Sequence, residues 1–182
     1  MKQKSFFVAV LLAVAVAASA QIKNAYVCQP CGLPCDEEIH AKPGTCTLCQ
    51  MPLVDRSTVK FTNLTPKEFC ARMAENPDAI ILDVRAPGEF SGTNTSVETY
   101  GYFKKAININ INQLTKRLGE INQYKDREIL IYCSQSHRSP RAAYYLGLQG
   151  FNNIKNMSGG LSKAGDAMKS SCFKAHFVPH KK

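Results

Sequence analysis

Cys133 and Arg138, separated by Ser134, Gln135, Ser136 and His137, are the residues whose types and spacing point most directly to chemistry. The apolar run Ile129-Leu130-Ile131-Tyr132 leads into Cys133 and reads as a buried strand. Such a strand delivers the thiol to its C-terminal end, the edge where open α/β sheets bind ligands. Ser139-Pro140 then opens a helix, so the loop's backbone N–H groups converge with the positive end of a helix dipole. That field favours an anion and also stabilises a thiolate. Arg138 adds a fixed cation with a planar donor fork. An inert core cysteine would prefer apolar neighbours to these small polar ones. The expected chemistry is that of a nucleophilic sulfur facing an anion cradle.

Eight cysteines are present, and five of them fall between Cys28 and Cys49. Cys28-Gln29-Pro30-Cys31 and Cys46-Thr47-Leu48-Cys49 are two C-x-x-C knuckles, nearly at the spacing of tetrahedral zinc sites. Cys28, Cys31, Cys46 and Cys49 are therefore the expected ligands of zinc or another soft or borderline metal. Cys35 and His40 lie between the pairs as substitutes, and Met51 would suit a soft ion. A segment this short cannot hold itself together by burial and needs a metal or disulfides. Disulfides are the competing reading, although five cysteines cannot all pair among themselves. Cys70 and Cys172 read as packing residues or a mutual disulfide.

The elements that must position these residues divide the chain near Asp55-Arg56-Ser57. A Cys-rich module is expected over 21–55, an α/β domain over 58–175 and a polar tail over 176–182. Thr65-Pro66 with Glu68 opens a helix by capping, first-turn proline and dipole complementarity. Ala79–Leu82, Ala106–Ile109 and Ile129–Tyr132 read as strands, and another begins at Ile154. Residues 112–122 read as a helix, a second runs from Ser139 to Gly150, and a short one starts at Leu161. Strands alternating with helices predict a parallel sheet with helices on both faces.

Ahead of the module, Lys2 and Lys4 precede the apolar run Phe6–Ala18 and then Ala18-Ser19-Ala20. This is the pattern of a cleavable signal peptide over 1–20, with Gln21 as the mature N-terminus and export to a periplasmic or secreted location expected. The run is too short for the roughly 20 residues of a membrane span, so no stable membrane anchor is expected. The chain is 45% hydrophobic and 20% charged, which excludes a disordered or low-complexity protein. Its net charge of +9 is dispersed, without the basic stripe and stacking aromatics of a nucleic-acid binder.

In the α/β part the sequence resembles the rhodanese family of sulfurtransferases. The residues that carry the resemblance are Asp83-Val84-Arg85 with Glu89-Phe90, the strand Ala106–Ile109, the loop Cys133–Arg138 with Ser139, and Gly159-Gly160-Leu161. The resemblance implies a rhodanese-like fold in which Cys133 carries a persulfide and no cofactor is needed for catalysis. It implies that the loop from Ser134 through Gln135, Ser136 and His137 to Arg138 cradles the transferred sulfur, with Arg138 holding an anionic donor. Asp83 and Arg85 would be a scaffold pair. The resemblance further implies a small sulfur-containing anion such as thiosulfate as donor and a thiol or cyanide-like nucleophile as acceptor. Related phosphatases and arsenate reductases use a loop one residue longer, suited to a tetrahedral oxyanion. Residues 91–105 are an insertion where the family has a compact turn, and Ala164 stands where it often has Trp. The segment from Tyr26 to Leu53 resembles small zinc-ribbon-like, heavy-metal-binding modules, with Gln50 in place of the usual Gly. A non-catalytic role, in metal binding or partner docking on a rhodanese scaffold, is the alternative reading.

Overall fold

The computed structural model describes residues 25–180 apart from Thr95. The leader expected over 1–20 lies outside the described residues. Strands β1 (Tyr26–Cys28) and β2 (Leu53–Asp55) pair antiparallel and frame the Cys-rich module. Between them a 3₁₀ turn spans Pro34–Glu37, and Thr45 bridges Pro52. Among the described residues no helix is long and apolar enough to cross a membrane.

The α/β part runs β3 (Phe61–Leu64), α1 (Pro66–Glu75), β4 (Ile80–Asp83), α2 (Pro87–Ser91), β5 (Gly101–Phe103), β6 (Ile107–Asn108) and α3 (Leu114–Arg117). It continues with β7 (Ile129–Tyr132), α4 (Arg138–Leu148), β8 (Ile154–Met157), α5 (Ser171–His176) and β9 (Phe177–Pro179). Five of these strands form a parallel sheet in the order β3-β8-β7-β4-β6. β7 lies at its centre and is buried throughout. Ile129 and Ile131 face one layer with Ala142 and Leu146 of α4 and Leu114 of α3. Leu130 and Tyr132 face the other, with Phe69 of α1 and Phe173 of α5. A strand covered on both sides reads as a continuous apolar run, which is why β7 is so clear in the sequence.

At α1 the expected cap is complete. The Thr65 hydroxyl accepts the Glu68 N–H, and the Glu68 carboxylate accepts the Thr65 N–H at 2.8 Å. Elsewhere the structure departs from the sequence pattern. The helix expected over 112–122 is one α-turn, α3, between 3₁₀ turns. Asn110 opens this stretch by accepting the Asn112 N–H, and Gly119 sits inside it, so polar side chains and glycine compete with a continuous helix. β3 has no counterpart in the sequence reading. The tail expected over 176–182 is also revised, since Phe177–Pro179 is a strand paired antiparallel with β5. Phe177 drives this by packing its ring against Phe103 at 5.1 Å and Phe173 at 5.7 Å.

Cys70 and Cys172 form a disulfide that ties α1 to α5 across 102 positions. The other six cysteines are free.

Candidate active site

β7 carries Cys133 to the C-terminal edge of the sheet, where the residue is 1% exposed. The Cys133 carbonyl accepts the Leu161 N–H at 3.0 Å, and the Ser134 carbonyl accepts the Ser162 N–H at 2.9 Å. This seat requires glycine at position 160, which has φ +62°. A Cβ there would lie 2.5 Å from the Ser134 oxygen and 2.6 Å from the Cys133 oxygen. The Ser139 hydroxyl, at the start of α4, donates to Cys133 Sγ at 3.3 Å. That contact stabilises the sulfur when it bears negative charge.

The loop from Ser134 to His137 runs directly into α4, whose first residue is Arg138. Among the described residues, no protein acceptor takes the backbone N–H groups of Ser134, Gln135, Ser136 or His137. Unpartnered donors at the N-terminus of an eleven-residue helix make a concave site for negative charge. Ser136 adopts φ +62°, the left-handed region, which lets so short a loop turn back on itself. The side chains of Gln135 and His137 are exposed, whereas Ser134 and Ser136 are buried.

Glu89 organises the charge beside the loop, a role the sequence alone does not reveal. Both terminal nitrogens of Arg138 bond its carboxylate, Nη2 to Oε1 at 2.8 Å. The Ser134 hydroxyl donates to Oε1 at 2.9 Å. Burial pushes the Glu89 carboxyl up, but Arg138, Ser134 and the Ala86 N–H together hold it down at about 2. The Arg138 fork is thus engaged by a carboxylate within the chain. One signal in the sequence was available, an acidic residue in the first turn after Pro87. Its partner lies 49 positions away, beyond any local pattern.

Asp83 and Arg85 form a fully buried pair, Nη2 to Oδ2 at 2.6 Å, as expected of a scaffold pair. Arg85 Nη2 also donates to the Gly101 carbonyl at 2.7 Å, which ties the end of β4 to β5 and so to the inserted segment. Asn108 Nδ2 reaches the carbonyls of both Asp83 and Arg85 at 3.1 Å.

In the module, the sulfurs of Cys28, Cys31, Cys35 and Cys49 all lie within 4.8 Å of one another. Three of the four expected ligands are thus brought together, with Cys35 completing the set. Cys46 is buried against the same cluster, but its sulfur is outside this group. The cause is local. The Asp36 carboxylate accepts the N–H groups of Cys31 and Gly32, and the Pro34–Glu37 turn then brings Cys35 Sγ to 3.7 Å from Cys31 Sγ. His40 takes no part, and its ring lies 3.9 Å from Glu38. Met51 packs against the cluster as an apolar neighbour. Gln50 has φ +60°, the conformation for which glycine is usual, and its amide braces the turn on the Thr47 carbonyl.

The donor set fits a metal. Thiolates bound tetrahedrally at about 2.3 Å stand roughly 3.8 Å apart, and the Cys28–Cys49 and Cys31–Cys35 sulfurs are 3.1 and 3.7 Å apart. Burial pushes the Cys28 and Cys35 thiols up. Cys49 comes down to about 7 because hydrogen bonds from Cys28 and the Met51 N–H outweigh its burial. A cation would complete so dense a group of buried sulfurs by drawing off their protons.

The module rests on the Cys133 loop. His137 Nδ1 lies 3.2 Å from the Cys31 carbonyl, and Gly32 packs against Ser136. Beside this contact is a cavity of about 520 Å³, lined by Leu33 and Asp36 on one side and by Gln135, His137 and Pro140 on the other.

The sequence profile of the rhodanese-like domain matches residues 65–167. The chain is 37% identical over 107 residues to YqhL, an uncharacterized protein of Bacillus subtilis, covering 59% of this chain and 75% of that protein. It is 31% identical over 90 residues to a protein of Allochromatium vinosum named sulfurtransferase, covering 50% of this chain and 75% of that one. It is also 30% identical over 95 residues to a tRNA uridine(34) hydroxylase of Buchnera aphidicola, where 50% of this chain matches 28% of the longer protein.

Proposed function

The chain belongs to the rhodanese-like domain family, and from that membership we propose that it is a sulfurtransferase whose Cys133 carries sulfur between a small anionic donor and a nucleophilic acceptor. One observation carries this reading: a buried thiol whose following loop offers unpartnered N–H groups at a helix N-terminus. With thiosulfate as donor, the Cys133 thiolate attacks the outer sulfur, the S–S bond breaks, and sulfite leaves with the bonding electron pair. Cys133 then bears a persulfide, whose terminal sulfur carries the negative charge. The N–H groups of Ser134, Gln135, Ser136 and His137 hold that charge without reorganising, since they are fixed in place beforehand. An acceptor thiolate or cyanide-like nucleophile next attacks the terminal sulfur, and the Cys133 thiolate departs. Each half is a displacement, so no outside oxidant or reductant is needed.

Arg138 acts in this scheme through its charge and its pairing with Glu89, which fixes the mouth of the loop. The Cys28, Cys31, Cys35 and Cys49 sulfurs would hold zinc or another soft or borderline metal as a structural crosslink, while Cys46 packs beside them. Export to an oxidising location belongs to the same reading. The Cys70–Cys172 disulfide supports it, because such bonds persist outside reducing compartments.

Thiosulfate treatment of the reduced chain, followed by intact mass and peptide mapping, tests the proposal. Addition of one sulfur atom to Cys133, absent in Cys133→Ser, is the expected result. The Cys28, Cys31, Cys35 and Cys49 cluster favours the second reading, a metal-binding or docking protein on a rhodanese scaffold. That reading predicts no sulfur on Cys133 with any donor.

A further inference from the structure

We propose that the Cys31–Gly32 turn is a positioning device for the sulfur cradle, with Gly32 as the positioning residue, so that filling the four-thiol cluster sets the geometry of Ser136 and His137. The proposal rests on the sulfurtransferase reading for its meaning, but not for its test.

The turn is held from three sides within two residues. On one side, the Cys31 sulfur belongs to the cluster, 3.7 Å from Cys35 Sγ. On the second, the Asp36 carboxylate accepts the Cys31 and Gly32 N–H groups at 3.0 and 2.7 Å. The third side is the Cys133 loop itself. The Cys31 carbonyl meets His137 Nδ1, and Gly32, at φ +81°, lies flat against the Ser136 peptide. A Cβ on Gly32 would fall 1.7 Å from the Ser136 oxygen and 2.7 Å from its carbonyl carbon. This is backbone against backbone, with no flexible side chain between to absorb a displacement.

The contact falls on the one residue of the loop that is conformationally costly. Ser136 holds φ +62°, and a non-glycine residue stays in that region only where its surroundings over-determine it. Gly32 and His137 supply part of that determination. The Ser136 and His137 N–H groups belong to the cradle, so a shift of their peptides re-aims donors at the Cys133 sulfur. Metal bonds to Cys31 and Cys35 fix the turn, whereas an emptied cluster leaves it to Asp36 and to the loop contact itself. Thus a site that performs no step of the transfer governs how well the cradle is formed.

The test uses the full chain under anaerobic conditions, zinc-loaded and chelator-stripped. The rate of Cys133 alkylation by iodoacetamide is read by peptide mass. Stripping should change that rate at least about fivefold, the lower end of ordinary coupling between sites. Gly32→Ala with zinc still bound should do the same. Gly44→Ala is the control within the module, because its added Cβ meets nothing nearer than 4.0 Å. If Gly32→Ala does not fold, Asp36→Ala loosens the same turn without inserting an atom against Ser136. Unchanged alkylation in the stripped chain, or in a folded zinc-bound turn variant, would overturn the proposal, as would a chain that takes up no zinc. Failure of Cys133 to accept sulfur in the zinc-loaded chain would instead refute the sulfurtransferase reading.

Discussion

Glu89 sets the charge balance beside the Cys133 loop, and its effect can be read against pH. Its folded-state pKa of about 2 lies below the ordinary carboxylate value of 4.5. A depressed carboxylate contributes stability that is fully present above its unfolded value and is lost as pH falls through the folded one. The difference corresponds to roughly 3 kcal/mol at neutral pH. Glu89→Gln should therefore lower the denaturant midpoint at pH 7, and the gap to the unaltered protein should narrow between pH 4.5 and 2. Equal pH profiles for the two proteins would show that the Arg138–Glu89 pair carries no such coupling. Cys133, Arg138 and the loop between them are legible in the sequence because strand, loop and helix start are contiguous there. The Glu89 pairing is not, since it is made by the sheet's topology. Cys35 entering the thiol group in place of Cys46 is hidden for a similar reason: knuckle spacing does not record how Asp36 folds the chain back.

At the scale of elements, β7 and α4 are evident from sequence because burial on both faces and an opening proline leave strong marks. β3 and β9 leave weak ones. Phe61-Thr62-Asn63-Leu64 is half polar, and Phe177-Val178-Pro179 is too short for any period to show. What fixes β9 is tertiary, a group of aromatic rings in which Phe103 touches Phe69, Tyr132, Phe173 and Phe177. The inserted segment thereby becomes a β5–β9 pair closing one face of the domain, and the Phe103 N–H donates to the Tyr132 hydroxyl. Phe177→Ala should cost about 3 kcal/mol, the usual scale for a phenylalanine removed from a core. Urea unfolding measures it, and a loss below 1 kcal/mol, where surface substitutions fall, would mean that β9 is not part of the cooperative unit.

For the whole molecule, the cysteines fall into three structural settings: a thiol cluster, a crosslink and a single buried thiol. The Cys70–Cys172 bond closes a loop of about a hundred residues, which on chain-entropy grounds is worth roughly 4–5 kcal/mol. The double variant Cys70→Ala, Cys172→Ala should unfold at markedly lower denaturant and, on the proposed metal reading, still take up zinc when zinc is supplied. A loss of zinc along with stability would mean that the module folds only on an intact domain. The seat beneath Cys133 has a different consequence. It is made of main chain, from Gly160, Leu161 and Ser162, so no rotamer change in a neighbouring side chain can move the backbone that carries Cys133. Gln135, exposed at the loop surface, is correspondingly free to vary. On the sulfurtransferase reading, selectivity for the acceptor is therefore open to retuning by substitution there, with the backbone that carries Cys133 held in place while its surroundings evolve.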